Sequence, residues 1–340
     1  MVQFRIVVTD PLEYKERIIA FWNAYLPGTP AERFDWLYEG NPAGRTIWFL
    51  AFEQKSGEIA GVVSLTPRML QLDRKPVRAG IMGDLMVAEK YRVFGPFLLL
   101  PKAVIGKYQT LGFDCIYTIP NADSKKIVLR AGFTSERALR HLVKPVALEP
   151  YLKGRWPPLW SRILGSLGSL ALRYLSTETL AGIQIAVHRE STVGHDFDAL
   201  WHTLRQPQSI LSGDRSAPYL AWRYLRNPQS TFHLLTVRHP QTHALDGYLF
   251  CTIVQDRMEI YDIVTRRAYY IYPLVREAAR LARRTSCRAM YMLIGIDHPL
   301  TRILKTCLFL DAHGDITVLY HTTQPLFQHG WSFVSGDRNI

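Results

Sequence analysis

One stretch of the chain concentrates residue types that bind anions. Gly83-Asp84-Leu85-Met86-Val87 reads as the end of a strand, Arg92-Val93-Phe94-Gly95-Pro96-Phe97 as a turn, and the apolar run after it as a helix. A turn that opens a helix presents free backbone N–H groups and the positive end of the helix dipole. With Arg92 beside it, such a turn suits a pyrophosphate. A second segment has the same plan: the apolar run Cys115–Ile119 leads into Asn121-Ala-Asp-Ser124, 24 residues past Phe97, and a helix that closes at Gly132-Phe133. Asn121 is a natural N-cap and Gly132 a natural C-cap.

This pair resembles the two cofactor motifs of the Gcn5-related N-acetyltransferase (GNAT) superfamily. There a strand end leads to Arg/Gln-x-x-Gly-x-Gly/Ala, and the next strand leads to an Asn-x-x-Ala/Ser helix with a tyrosine ahead of Gly-Phe. Arg92-x-x-Gly95 and Asn121-x-x-Ser124, followed by Gly132-Phe133, fall in register. The resemblance implies acetyl-CoA or another acyl-CoA as cosubstrate, with no metal. It places Leu85, Met86, Val87, Arg92, Val93, Phe94, Gly95, Phe97, Asn121 and Ser124 around that cosubstrate. It also implies oxyanion stabilisation from the strand at Leu85–Val87. Asp84, on the same strand, would take a proton from the attacking amine, directly or through water. The competing reading is that Asp84 caps a turn or pairs with a cation. Three departures stand out: Phe97 replaces a small residue, Pro96 lacks an N–H, and Val128 stands where the family's tyrosine acid falls. Tyr117 is a substitute acid, against the plainer reading of a core tyrosine.

A phrase near the N-terminus returns later. Ala31, Trp36, Tyr38, Asn41, Pro42 and Gly61 recur 186 residues on as Ala217, Trp222, Tyr224, Asn227, Pro228 and Gly247. Asp84 and Tyr117 recur at shorter offsets as Asp262 and Tyr291. So long a period means a duplicated domain rather than a solenoid unit. In the second copy the anion turn becomes Thr265-Arg266-Arg267-Ala268-Tyr269-Tyr270, without glycine. Recurrence without that turn favours structural roles for Asp84 and Tyr117. Paired aromatics at Trp36/Trp222 and Tyr38/Tyr224 read as core or domain-interface packing, with a cleft lining as the rival.

The elements that must position these residues follow an α/β order with a mixed sheet. Strands are expected at 2–9, 47–52, 60–70, 77–87 and 115–119, with helices over 10–25, 97–111 and 124–131. The second copy repeats the order with a helix at 197–204, strands at 232–238, 247–254, 258–265 and 289–294, and helices at 272–284 and 299–306. The fold expectation is therefore two tandem GNAT-like domains, 1–149 and 191–324. An apolar helical linker lies within 150–190, and 325–340 reads as a loose tail. The segment 156–175 is also readable as an amphipathic helix at a membrane surface.

Composition sets outer limits. A 48% apolar content supplies two cores, and a net charge of +12, spread over both halves, suits anionic ligands without choosing among them. Cys115, Cys251, Cys287 and Cys307 have neither CxxC spacing nor a signal peptide, so a cytoplasmic location and no zinc site are expected. The arginines at 276, 280, 283, 284 and 288 read as a solvated helix face rather than a nucleic-acid surface. His298 beside Asp297 lacks a nucleophile for a triad. The expected function is acyl-CoA-dependent N-acyl transfer to a small-molecule amine. Tandem proteins with Trp-x-Tyr-x-x-Asn-Pro resemble acyltransferases of bacterial cell-surface polysaccharide synthesis, which implies an amino-sugar acceptor. The alternatives are a non-catalytic binding or scaffold protein, and an aminoacyl-tRNA-dependent transferase.

Overall fold

A computed structural model of the chain describes residues 2–25, 31–148, 164, 167–168, 186–204, 210–296, 298–328 and 330–338. The linker helix expected within 150–190, with its membrane-surface reading, lies outside the described residues.

Strands β1 (Phe4–Thr9), β2 (Ile47–Glu53), β3 (Ile59–Leu72) and β4 (Lys75–Val87) form an antiparallel meander. Its β3–β4 hairpin turns through Asp73 and Arg74, both at positive φ, the geometry of a tight two-residue turn. Helix α1 covers Lys15–Tyr25, not the expected start at Pro11. The Asp10 carboxylate accepts the Leu12 N–H at 2.9 Å and closes a local turn instead of capping the helix. Helix α2 (Ala31–Phe34) runs into a single π turn, Asp35–Glu39, which carries Trp36 and Tyr38. Helix α3 (Pro96–Lys107), strand β5 (Cys115–Thr118) and helix α4 (Ala122–Ala131) complete the first motif pair. Gly132 caps α4 at φ 114.

The second half repeats this order. Strand β7 (Val187–Glu190), helix α5 (His195–Leu204), strand β8 (Leu211–Gly213) and helix α6 (Ala217–Leu220) precede a second π turn, Ala221–Leu225, holding Trp222 and Tyr224. Strands β9 (Phe232–Arg238), β10 (Leu245–Val254) and β11 (Arg257–Thr265) follow. Then come helix α7 (Ile271–Arg284), strand β12 (Ala289–Gly295) and helix α8 (Leu300–Thr306). The repeated glycines have one cause. A Cβ on Gly61 would meet the Met86 carbonyl at 2.9 Å, and one on Gly247 would meet the Thr265 side chain at 2.8 Å.

Two strands that the sequence reading left unassigned join the halves. Strand β6 (Thr134–Pro145) follows α4, yet it pairs with β12 of the second half, from Ala289↔Pro145 to Gly295↔Leu139. Strand β13 (Leu310–Thr322) follows α8, yet it pairs with β5 of the first half. Each half thus donates its last strand to the other. The order β1-β2-β3-β4-β5-β13-β6-β12-β11-β10-β9-β7 is one continuous sheet. The exchange leaves neither β5 nor β12 as an open edge.

The repeated tryptophans meet across the halves. Trp36 Nε1 donates to the Trp222 carbonyl at 2.7 Å, and Trp222 Nε1 donates to the Trp36 carbonyl at 2.8 Å. Their rings stack with centroids 5.4 Å apart. Reciprocal bonds of this kind are the local sign of a two-fold relation between the copies. Both tryptophans are buried and line neither of the two cavities described below.

The described residues of 325–340 are not loose. Strand β14 (Trp331–Ser332) pairs in parallel with β8, and Val334 bridges to Ile294. Trp331, Phe333, Val334, Ser335 and Asp337 are all buried. The tail's apolar residues have no period of their own because they fill gaps left by other elements.

Candidate active site

Strands β4 and β5 pair only over Ala79–Ile81 and Cys115–Tyr117, and beyond that point they part. On its other side β4 slips against β3, from Val62↔Met86 to Ser64↔Gly83. This bulge turns Asp84 to φ 49, in the left-handed region, where aspartate is among the tolerated residues. A cavity of about 340 Å³ fills the splay. Met82, Asp84 and Leu85 line one wall, and Thr118, Asn121, Ser124 and Val128 the other. Arg33 and Arg338 line it as well, so the tail reaches this site.

Asp84 is held by three donors. Its Oδ2 accepts from the Tyr38 hydroxyl at 2.5 Å and from Ser64 Oγ at 3.2 Å, and its Oδ1 pairs with Arg33 Nη2 at 3.3 Å. The side chain keeps 13% exposure, and Oδ1 has a lone pair left to accept a further proton donor. Burial, then the Asp84 charge, raise the Tyr38 hydroxyl well above its ordinary range, so it remains a donor. Arg33 is a neighbour of Asp84 that the sequence reading missed, and Tyr38, read there as packing or cleft lining, was not placed beside it. One signal was available, since Tyr38 and Asp84 recur together as Tyr224 and Asp262.

The anion turn is a 3₁₀ segment, Glu89–Phe94, followed by Gly95 at φ 104 and by Pro96 as the first residue of α3. A Cβ on Gly95 would meet nothing within 4 Å, so the space over this turn is open. Arg92 and Val93 are exposed, and Arg92 makes no ion pair with the described residues. Phe97 does not crowd the turn: its ring packs on the core below. Pro96 sits where a helix has no partner for its N–H in any case. Leu85 lines the cavity, whereas Met86 packs on the core and buried Val87 pairs with Gly61 of β3. Asn121 caps α4 as expected, accepting from Ser124 N at 2.9 Å and Ser124 Oγ at 2.7 Å. Val128 is buried in the cavity wall and offers no proton.

Tyr117 lies outside this cavity. Its hydroxyl donates to the Asp337 carbonyl at 2.6 Å, and its ring meets Trp331 edge-on. That hydroxyl is committed to anchoring the tail.

The second half has a counterpart. Strands β11 and β12 pair over Arg257–Ile260 and Ala289–Met292 and then part around a cavity of about 250 Å³. Asp262 occupies the place of Asp84, without the left-handed φ. Its Oδ2 accepts from Arg215 Nε at 2.5 Å and from the Tyr224 hydroxyl at 3.2 Å. Arg215 also grips Asp337 with both terminal nitrogens, at 2.8 and 2.9 Å, and Arg68 adds a contact at 2.8 Å. Burial pushes Asp262 up to about 6 even beside Arg215, because Asp337 competes for the same guanidinium. Burial would also raise Asp337, but Arg215 and Arg68 override it and hold that carboxyl well below the usual range. No glycine turn precedes α7. Arg266 and Tyr270 instead bind the Asp246 carboxylate, at 3.1 and 2.9 Å.

His298 has a serine partner, with Nε2 2.7 Å from Ser332 Oγ. The pair is not a nucleophile and base. Nδ1 accepts the Leu300 N–H at 3.1 Å, and burial lowers the ring to about 4, so the neutral ring carries its proton on Nε2. That nitrogen donates to the serine rather than activating it. On α7, Glu277 pairs with Arg189 and Arg280, as in a solvated face. Among the described residues no group of His, Cys, Asp and Glu has the makings of a metal site, and no helix is long and apolar enough to cross a membrane.

Strand meander, splayed parallel pair and α3 turn define the mixed-sheet GNAT fold, here in two interlocked copies. No protein-family model matches the sequence, and no curated protein matches it. Solved structures do resemble it. A probable N-acyltransferase from Enterococcus faecalis aligns with a TM-score of 0.67 at 12% identity, covering 94% of this chain and 73% of that one. A GCN5-related N-acetyltransferase from Anabaena variabilis gives 0.67 at 11% identity, over 95% and 73%. The Saccharomyces cerevisiae N-myristoyltransferase with bound myristoyl-CoA gives 0.60 at 11% identity, over 93% and 82%. At these identities the likeness is one of fold.

Proposed function

We propose that the protein is an acyl-CoA-dependent N-acyltransferase and that transfer occurs in the first-half cavity. The observation that carries this reading is the coincidence of three features in that half. The splay cavity, the carboxylate on the β4 bulge and the open glycine turn at the start of α3 all belong to that half. The second half keeps the splay and loses the turn.

The residues present fit acyl-CoA. Exposed Arg92 and the turn at Gly95 receive phosphates, and the wall from Thr118 to Val128 borders the thioester arm. The cosubstrate supplies an acyl group already activated as a thioester. The residues of the chain then do three things. Leu85, at the bulge, supports negative charge on the carbonyl oxygen through its main chain. Arg33, Tyr38 and Ser64 hold Asp84 in a single orientation. Asp84 Oδ1 accepts the proton that the amine loses on attack. Valine at position 128 is tolerable here, because a thiol with an ordinary pKa near ~8.5 leaves as its anion far more readily than an amine does.

The acyl chain and the acceptor belong to the same proposal. Acetyl transfer to an amino sugar is the first combination to screen, with longer acyl-CoAs beside it in view of the myristoyl-CoA-binding neighbour. Calorimetric titration with acetyl-CoA and with longer acyl-CoAs, on the wild type and on Arg92→Ala, tests the reading. Micromolar binding that weakens about tenfold in the variant is expected for loss of one charge-assisted phosphate contact. Absence of binding by any acyl-CoA overturns it.

A further inference from the structure

The cavity at Asp84 carries an excess of positive charge that the transfer chemistry does not use. Arg33 is paired with Asp84, which leaves that pair neutral. Arg338 is a second guanidinium at the same cavity, and it makes no hydrogen bond or ion pair with the described residues through its side chain. Its charge acts on His141 of β6 and Tyr261 of β11, and the Glu259 carboxylate acts on both in the opposite sense.

The position of Arg338 is built rather than accidental. The preceding residue, Asp337, is fully buried and clamped by Arg68 from the first half and Arg215 from the second. The Asp337 carbonyl receives the Tyr117 hydroxyl, the Gly336 carbonyl receives the Tyr219 hydroxyl at 3.1 Å, and the Arg338 carbonyl receives Arg223 Nη2. Three main-chain anchors and a buried ion cluster thus deliver one half-buried guanidinium, without a direct ion pair among the described residues, to the splay. The natural complement of such a cation at a cavity is an anion brought by a ligand.

We infer that the acceptor amine carries an anionic group, a carboxylate or a phosphate, and that Arg338 is the specificity residue that binds it. This rests on the acyltransferase reading above and names its substrate class. A neutral or purely cationic amine gains nothing from Arg338.

The test compares matched acceptors on the full chain with saturating acyl-CoA. O-phosphoethanolamine and β-alanine are set against ethanolamine, and glucosamine 6-phosphate against glucosamine, with release of free CoA as the rate. Binding of the same amines is followed by calorimetry. The expected result is kcat/KM at least about tenfold higher for one anionic class, expressed mainly in KM. Arg338→Gln removes that preference, and Arg338→Lys restores part of it. The carboxylate and phosphate arms tell which group is read, and either preference supports the proposal. Equal use of charged and neutral acceptors overturns it, as does an Arg338→Gln loss that is the same for both. If no acceptor turns over, Arg338-dependent binding of the anionic amines still supports it, and absence of such binding overturns it. Acyl-CoA affinity, measured in the same samples, separates this failure from failure of the acyltransferase reading. Intact acyl-CoA binding without anion discrimination sinks only the acceptor class.

Discussion

Asp84 and Asp262 stand at the same place in two copies of one fold, and their surroundings have diverged. Asp84 sits on a left-handed bulge, keeps 13% exposure and faces a cavity in the half that carries the open glycine turn. Asp262 is closed off, bound to Arg215 and drawn with Asp337 into a buried cluster. The tail accounts for much of the difference. It packs Asp337 against the second site and places Arg338 at the first. The same framework can therefore hold a carboxylate open to a cavity or locked into a cluster, depending on whether its counter-charge is shared with another buried acid.

The contrast breaks most visibly at Asp337. Asp337→Ala leaves Arg68 buried without its carboxylate and Arg215 with Asp262 alone, and a loss of about 3–5 kcal/mol in denaturant unfolding is expected. Asp84→Asn, measured beside it, should lose about 10²-fold or more in acyl transfer with a stability change under about 1 kcal/mol. A large stability loss at Asp84 with activity retained would erase the distinction between the two sites.

Glycines sharpen it further. A Cβ on Gly336 would lie 2.3 Å from the Tyr224 hydroxyl and 3.4 Å from Asp262 Oδ2. Gly336→Ala should therefore cost about 1–3 kcal/mol in thermal or chemical unfolding by overpacking the tail against the second site. Gly95→Ala meets no neighbour and pays only for its φ of 104. Its effect should appear in acyl-CoA affinity more than in stability.

The smallest effect is electrostatic. Asp262 has its folded pKa raised from 3.8 to about 6, so folding favours its protonated form. That contribution is complete below the unfolded value and is lost as pH rises through about 6. Asp337 acts in the opposite sense, stabilising above the unfolded value and losing that effect only in strong acid. Between pH 4 and pH 7 the stability of the wild type should carry a declining component that Asp262→Asn removes. An unchanged slope in the variant would mean that Arg215 keeps Asp262 ionised across this range.

Much of the fold was legible because local rules and the fold agree. Gly132 and Asn121 cap α4 where their chemistry places them, and the strands of the meander fall on the apolar runs between its turns. The π-turn tryptophans announced themselves by repeating. Helix α1 was misjudged at its start because Asp10 satisfies a nearby N–H in a turn just as well as in a cap. The exchanged strands were not legible. Thr134–Pro145 carries four basic residues and little alternation, since β6 lies between two other strands and its pairing depends on partners over a hundred residues away.

Sequence alone determined the duplication, the order of elements apart from the exchanged strands and the tail, and the two motif segments. Each of these depends on residues close in the chain or on identity between copies. Only tertiary structure decided that Tyr117 anchors the tail, that Arg33 and Tyr38 hold Asp84, and that the halves are interlocked by traded strands. It also decided that residues 331–338 belong to both sites. The reason is that burial and charge pairing depend on distances between segments far apart in sequence. Arg68, Arg215 and Asp337 become one cluster only when the chain has closed.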